Sequence, residues 1–211
     1  MRTNRRTSLK VAAATIGAAS LGLLVAAPGA SAGDGSSTTR VAELSSLNGS
    51  GVTGTASAEV THNKLHVTYD AAGVLPNAVH AVHIHFGKTA DHECPTQAAD
   101  GGDGQLTTGE GLPFYGPVAV SLTNTGDTSP ASVLALDRYS DAPDGTLTYD
   151  RSGIKTKGSV AKAIAAGEGV VVVHGVDYND DGAYDFEAGI SDLDPSLPAE
   201  ATDLAACGVL R

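Results

Sequence analysis

The chain has no tryptophan, one methionine and three phenylalanines in 211 residues, and aromatics make up only 4% of it. A core built from large aromatic rings is therefore ruled out, and Val, Leu, Ile and Ala must supply the buried volume. Positive charge is equally scarce: 13 Lys and Arg stand against 24 Asp and Glu, a formal net charge of −11. So acidic a surface disfavours nucleic acid and anionic membranes as partners. There is no phosphate loop, no dinucleotide fingerprint and no Gly-x-Ser-x-Gly elbow, which removes the common nucleotide-dependent and serine-hydrolase chemistries. No apolar run is long enough for a firm membrane span.

What is present begins with an export signal. "MRTNRRTSLK" is basic, Val11 to Ala27 is an apolar run of small residues, and "ASA" at Ala30 to Ala32 suits signal peptidase. Residues 1–32 are thus expected to be removed. Arg5 and Arg6 followed by Leu9 and Lys10 fit a twin-arginine signal, although Ser8 stands where a large apolar residue is usual; a general secretory signal is the alternative. Cleavage would take four basic residues and no acidic ones, leaving nine against 24, or about −15. The product is expected outside the cell, secreted or cell-wall associated. There, Cys94 and Cys207, even in number and exported, favour one disulfide.

Residues 33–42 open with "GDGSSTTR", a polar leader with nothing to bury, and are expected to be flexible; residues 43–211 form the domain. That domain reads as short strands separated by Gly, Pro, Asp and Asn. "TGTASAEV", "KLHVTYD", "AVHAVHIHF", "GPVAVSLTNT", "SVLALDRY" and "GTLTYDRS" combine β-branched residues with alternation. "GVVVVHG" is a continuous apolar run, the pattern of a strand buried on both faces. One stretch, "GSVAKAIAAGEG", predicts a short helix ending at Gly167. The expected fold is all-β, a sandwich or barrel with one short helix in a connection.

Histidine is clustered. Three of the chain's seven lie in "HAVHIHFG". On a strand, His83 and His85 share a face with Cα atoms about 6 to 7 Å apart, while Val82, Ile84 and Phe86 point the other way. Two neutral imidazoles so placed can converge on one transition-metal ion; a solvent-facing pair would look identical. His174 ends the four-valine run, where a central strand gives way to loop, and an ionisable ring there needs a carbonyl, a carboxylate or a metal as partner. Three imidazoles suit copper or zinc better than calcium or magnesium. His62, His66 and His92 read as surface or loop residues.

These residues resemble the copper/zinc superoxide dismutases. "HAVHIHFG" is similar to the strand that carries two copper ligands in that family, "VVVHG" to the strand ending in another, and "AACGV" to the C-terminal cysteine strand, while Cys94 lies nine residues after His85, about where the partner cysteine belongs. The resemblance implies a Greek-key β-sandwich or barrel, copper held by His83, His85 and His174, a structural role for His80 in binding a neighbouring loop, and superoxide as a candidate substrate. It also departs from the family pattern. The bridging histidine's position is Asp100, a candidate fourth ligand, and no histidine lies between His92 and His174, so a second, zinc subsite is not expected. The position of the guiding arginine is Leu204. A second resemblance, to the CHRD module of secreted and surface proteins, rests on His-Ile-His, Gly-Pro-Val and the late Val-His; it implies a non-catalytic binding domain.

A last motif follows His174. In "DYNDDGAYDFE", Asp177, Asn179, Asp181, Gly182 and Asp185 take positions one, three, five, six and nine of a calcium loop, but position twelve is Ala188 and no flanking helices are evident. Calcium and a plain solvated acidic turn are the two readings. "DGGDGQLTTGE", Asp100 to Glu110, is a weaker version of the same pattern.

Overall fold

The computed structural model describes residues 36–211; the expected signal, residues 1–32, lies outside them. The described chain forms eight strands: β1 (Thr38–Ser46), β2 (Thr53–Thr61), β3 (Lys64–Ala72), β4 (Val82–His85), β5 (Val118–Ser121), β6 (Thr146–Lys155), β7 (Val170–His174) and β8 (Leu204–Val209). They make one antiparallel sheet in the order β5-β4-β7-β8-β1-β2-β3-β6. The class is all-β, as the alternating pattern predicts.

β1 joins the two halves of the sheet. Its first seven residues pair with β2, and Ser45 and Ser46 pair with β8. The sheet curls so that Ala56, Ala58, Leu65 and Val67 from one half share a core with Val82, Ile84, Val171 and Val173 from the other. Aliphatic and alanine side chains dominate that core, as the shortage of aromatics requires. β1 also corrects the expected leader: from Thr38 onward the segment is strand, with Thr38 opposite Val60 and Ala42 opposite Ala56. Its short polar side chains bury little, but the backbone supplies the missing edge of β2, a gain that side-chain hydropathy does not register.

Period-two alternation sets what each face of β7 meets. Val171 and Val173 enter the main core, whereas Val170 and Val172 join Leu106, Tyr115, Leu204 and Cys207 in a second, smaller cluster on the outer face. The connection from Phe86 to Val118 covers that face, held to β8 by the Cys94–Cys207 disulfide.

The helices differ from expectation. α2 (Gly158–Ala166) ends at Gly167, which takes the left-handed conformation at φ 90°. Two more are present: α1 (Thr108–Tyr115) and the single-turn α3 (Ala199–Thr202). Thr107 and Glu110 close a capping box on α1, a Thr-x-x-Glu signal visible in the sequence but obscured by the glycines and Pro113 inside the helix. "SVLALDRY" is not a strand. Pro130 and Ser129 start a 3-10 turn, and the Asp127 carboxylate accepts from the hydroxyls of Ser129 and Ser132, so local bonds replace a ladder.

Candidate metal centre

β4 and β7 are neighbours, with His83 opposite Val172 and His85 opposite Val170. Since opposite residues point to the same side, both histidines project to the outer face that carries Val170 and Val172. His174, two residues beyond Val172, emerges on that face as well. Strand pleat and strand order thus bring together three rings that sequence places some ninety residues apart. One nitrogen from each of His83, His85 and His174 lies within 4.8 Å of the other two, a spacing that could hold a metal ion. Among the described residues no other group of three or more His, Cys, Asp or Glu side chains does this.

The site is closed. The three residues are 2%, 1% and 2% exposed, in the order His83, His85, His174. Leu134, Leu136 and Leu193 lie over His83 and His174, with only about 10 Å³ of space beside the rings. That is about one water-sized sphere at most.

Hydrogen bonds on the outer side of each ring decide which nitrogen faces inward. His85 Nδ1 donates to the Gly116 carbonyl at 2.8 Å, and His174 Nδ1 donates to the Thr202 carbonyl at 2.7 Å. His83 Nε2 lies 3.2 Å from the Val133 carbonyl and 3.1 Å from the Tyr139 hydroxyl, which itself donates to Ser132. A carbonyl can only accept, so each of these nitrogens carries the hydrogen. The unprotonated atoms are then His83 Nδ1, His85 Nε2 and His174 Nε2. His83 Nδ1 and His174 Nε2 stand 3.2 Å apart, and His85 Nε2 is buried with no hydrogen-bond partner among the described residues. Three ring nitrogens gathered in this way could hold a metal ion, and carbonyl-anchored outer nitrogens are the support that metal-binding histidines commonly have.

Burial favours the neutral form of all three rings near pH 7. Burial pushes His85 down to about 3 and His174 to about 4, and holds His83 well below the ordinary histidine range. Repulsion among the rings deepens the effect for His83 and His85; the Thr202 carbonyl and Asp192 partly offset it at His174. Neutral imidazole is the form that ligates a metal.

The remaining predicted residues fall elsewhere. His80 is fully buried, with Nδ1 3.0 Å from the His174 carbonyl and Nε2 2.9 Å from the Leu75 carbonyl, so its ring ties the loop before β4 to the end of β7. Asp100 does not join the cluster; its carboxylate accepts from the Gly102 amide and the Gln97 side chain. Leu204 is buried and pairs with His174 in the ladder. In the acidic loop, Asp177 accepts from the amides of Asp181 and Gly182, Asn179 from Asp181, and Asp181 from Ala183. Asp185 accepts from the Glu187 amide, and its own amide donates to Glu200. Glu200, fully buried, also accepts from the Tyr178 amide and so fastens both ends of the loop. No sequence signal marks that clamp, the anchoring carbonyls of Gly116, Val133 and Thr202, or the leucine cover, because backbone acceptors and distant aliphatic residues carry no motif.

Among the described residues no helix is long and apolar enough to cross a membrane. In comparisons with known proteins, the chain matches no family model and no curated protein.

Proposed function

We propose that this is an exported copper-binding protein of the copper/zinc superoxide dismutase type, with one copper ion held by His83 Nδ1, His85 Nε2 and His174 Nε2. The observation that carries the reading is the buried His85 Nε2, which has no hydrogen-bond partner among the described residues and belongs to a cluster of three histidines close enough to share one ion. The donor set favours copper: three imidazoles suit transition metals, and among the described residues no carboxylate joins the ligand group to neutralise a divalent ion. Because the cost of burying an ion rises with the square of its charge, cuprous ion is the species such a site holds most cheaply. Copper would supply one-electron chemistry when bound. The chain's own groups keep the rings neutral, fix their orientation through Gly116, Val133 and Thr202, and exclude water with Leu134, Leu136 and Leu193.

Closure supports holding the metal over rapid turnover. A superoxide ion would have to pass an aliphatic cover on an acidic protein, and Leu204 stands where the resemblance calls for a guiding arginine. The non-catalytic role implied by the CHRD resemblance therefore agrees better with the geometry than efficient dismutation does. The disulfide accords with an extracellular setting.

The test is a titration of chelator-treated protein with cuprous ion under ascorbate, read against a chromogenic competitor, alongside a dismutation assay. One copper per chain is expected, lost in His83→Ala and in His174→Ala, with little or no dismutation. Stoichiometry unaffected by both substitutions would refute the site, and fast dismutation would refute the holding role.

A further inference from the structure

β5 and β6 are the two edges of the sheet; they do not pair with each other, but residues of both line one groove. At one end, side chains of β6 bridge the seam. Arg151 donates to the carbonyls of Thr123 at 2.6 Å and Gly126 at 2.5 Å, and the Tyr149 hydroxyl donates to Thr123 at 3.2 Å. At the other end no hydrogen bond or salt bridge among the described residues crosses it, and a groove of about 550 Å³ opens. That volume is in the range of small-molecule sites, about 300–1,000 Å³.

The lining has two parts. Phe86, Pro117, Val118, Ala119 and Val160 make an apolar wall, and Lys88, Lys155 and Lys157 stand around it. Among the described residues no acidic side chain lines the groove, although the chain holds 24 of them and only six lysines. None of the three lysines forms a salt bridge with a described residue. Ser159 and Val160, in the first turn of α2, also line it, and no side chain caps that turn, so its partial positive charge adds to the three ammonium groups. On so acidic a protein, positive charge gathered beside an apolar wall is complementary to a ligand that is apolar along its length and anionic at one end.

We propose that the seam between β5 and β6 binds a small amphipathic anion, an apolar body ending in a carboxylate. The body lies against Phe86, Val118, Ala119 and Val160, and the carboxylate meets Lys155, Lys157 and the start of α2. This site is separate from the histidine cluster, and its occupancy does not depend on copper.

Calorimetric titration of the intact, disulfide-bonded protein with octanoate tests it, with octylamine as the cationic counterpart of equal length. Octanoate is expected to bind at one per chain and at least tenfold tighter than octylamine. Lys155→Glu with Lys157→Glu should weaken octanoate at least tenfold, and Ala119→Trp, which fills the groove, should abolish its binding. The ligand comparison needs no variant, so a substitution that unfolded the protein would not blunt the test. Equal binding of the two ligands, or no saturable octanoate binding, would overturn the proposal. So would an acidic peptide that adds to the β5 edge and is not displaced by octanoate.

Discussion

Replacing His85 with Phe separates a metal ligand from a structural histidine, because the two roles predict opposite balances. In the metal-free protein His85 makes one hydrogen bond, to Gly116, and leaves Nε2 buried and unpaired. Phenylalanine of similar size keeps the ring against Tyr115, whose centroid is 4.4 Å away, and loses the bond. The lost bond leaves the buried Gly116 carbonyl without its donor, at a cost of about 1–3 kcal/mol; removing the orphaned nitrogen returns about 1–3 kcal/mol. Metal-free His85→Phe should therefore unfold within about 2 kcal/mol of the parent protein, on either side. Bound metal changes the comparison: at a free concentration one hundred times Kd it stabilises the parent by about 2.7 kcal/mol. For a domain of this size that raises Tm by about 5–11 °C. The variant should show almost none of this rise. Differential scanning calorimetry of chelator-treated protein, with and without cuprous ion under ascorbate, reads both quantities. The reasoning fails if metal raises Tm equally in both proteins, or if metal-free His85→Phe loses more than about 4 kcal/mol, which would make Nε2 a satisfied structural group.

Other outcomes follow from the same structure. The Cys94–Cys207 bond closes a loop of 113 residues, worth about 4.8 kcal/mol in the chain-entropy model, so the Cys94→Ser, Cys207→Ser double variant should melt about 10–20 °C lower by circular dichroism; a drop under about 3 °C would contradict this. Acid should destabilise the metal-free protein through the histidines. Their folded values, depressed to about 3 and 4 for His85 and His174, lie below the unfolded value near 6.5, so their stabilisation is complete above pH 6.5 and lost as pH falls, by about 1.4 kcal/mol per pH unit for each ring. Asp203 works in the opposite sense. Burial, with repulsion from Asp192, Glu110 and Asp103, raises it to about 7 against a bond from Tyr178, so its contribution to stability falls as pH rises from about 4 to 7. Asp203→Asn should then stabilise the fold at pH 8, by up to about 4 kcal/mol, have little effect near pH 4, and steepen the loss between pH 7 and 5. Urea unfolding across that range measures all of this, and an unchanged slope in the variant would contradict the assignment.

Much of the site was legible before any fold was known, and the reason is strand geometry. The His-x-His spacing puts two rings on one face of any strand, and four valines before His174 mark a strand buried on both sides; both statements need only the period of two. The helix ending at Gly167 was equally local. "SVLALDRY" misled because its alternation resembles a strand, whereas the decisive partners are the Asp127 carboxylate and the serines it binds. The strand character of Thr38 to Ala42 was missed for the converse reason: those side chains carry little hydrophobic signal, and it is the backbone of β2 that orders them.

Sequence by itself determined the class of the protein, all-β with an aliphatic core and an acidic surface, together with the histidine pair. Those properties follow from composition and from a period of two, which act over a few residues at a time. Only the tertiary structure decided that His174 meets the pair, that three backbone carbonyls anchor the rings, and that leucines from the segments around residues 134 and 193 shut the site from water. Each of these depends on groups brought together across long stretches of chain. Burial and convergence are properties of that packing, and the packing is what turns three histidines into a site that could hold a metal.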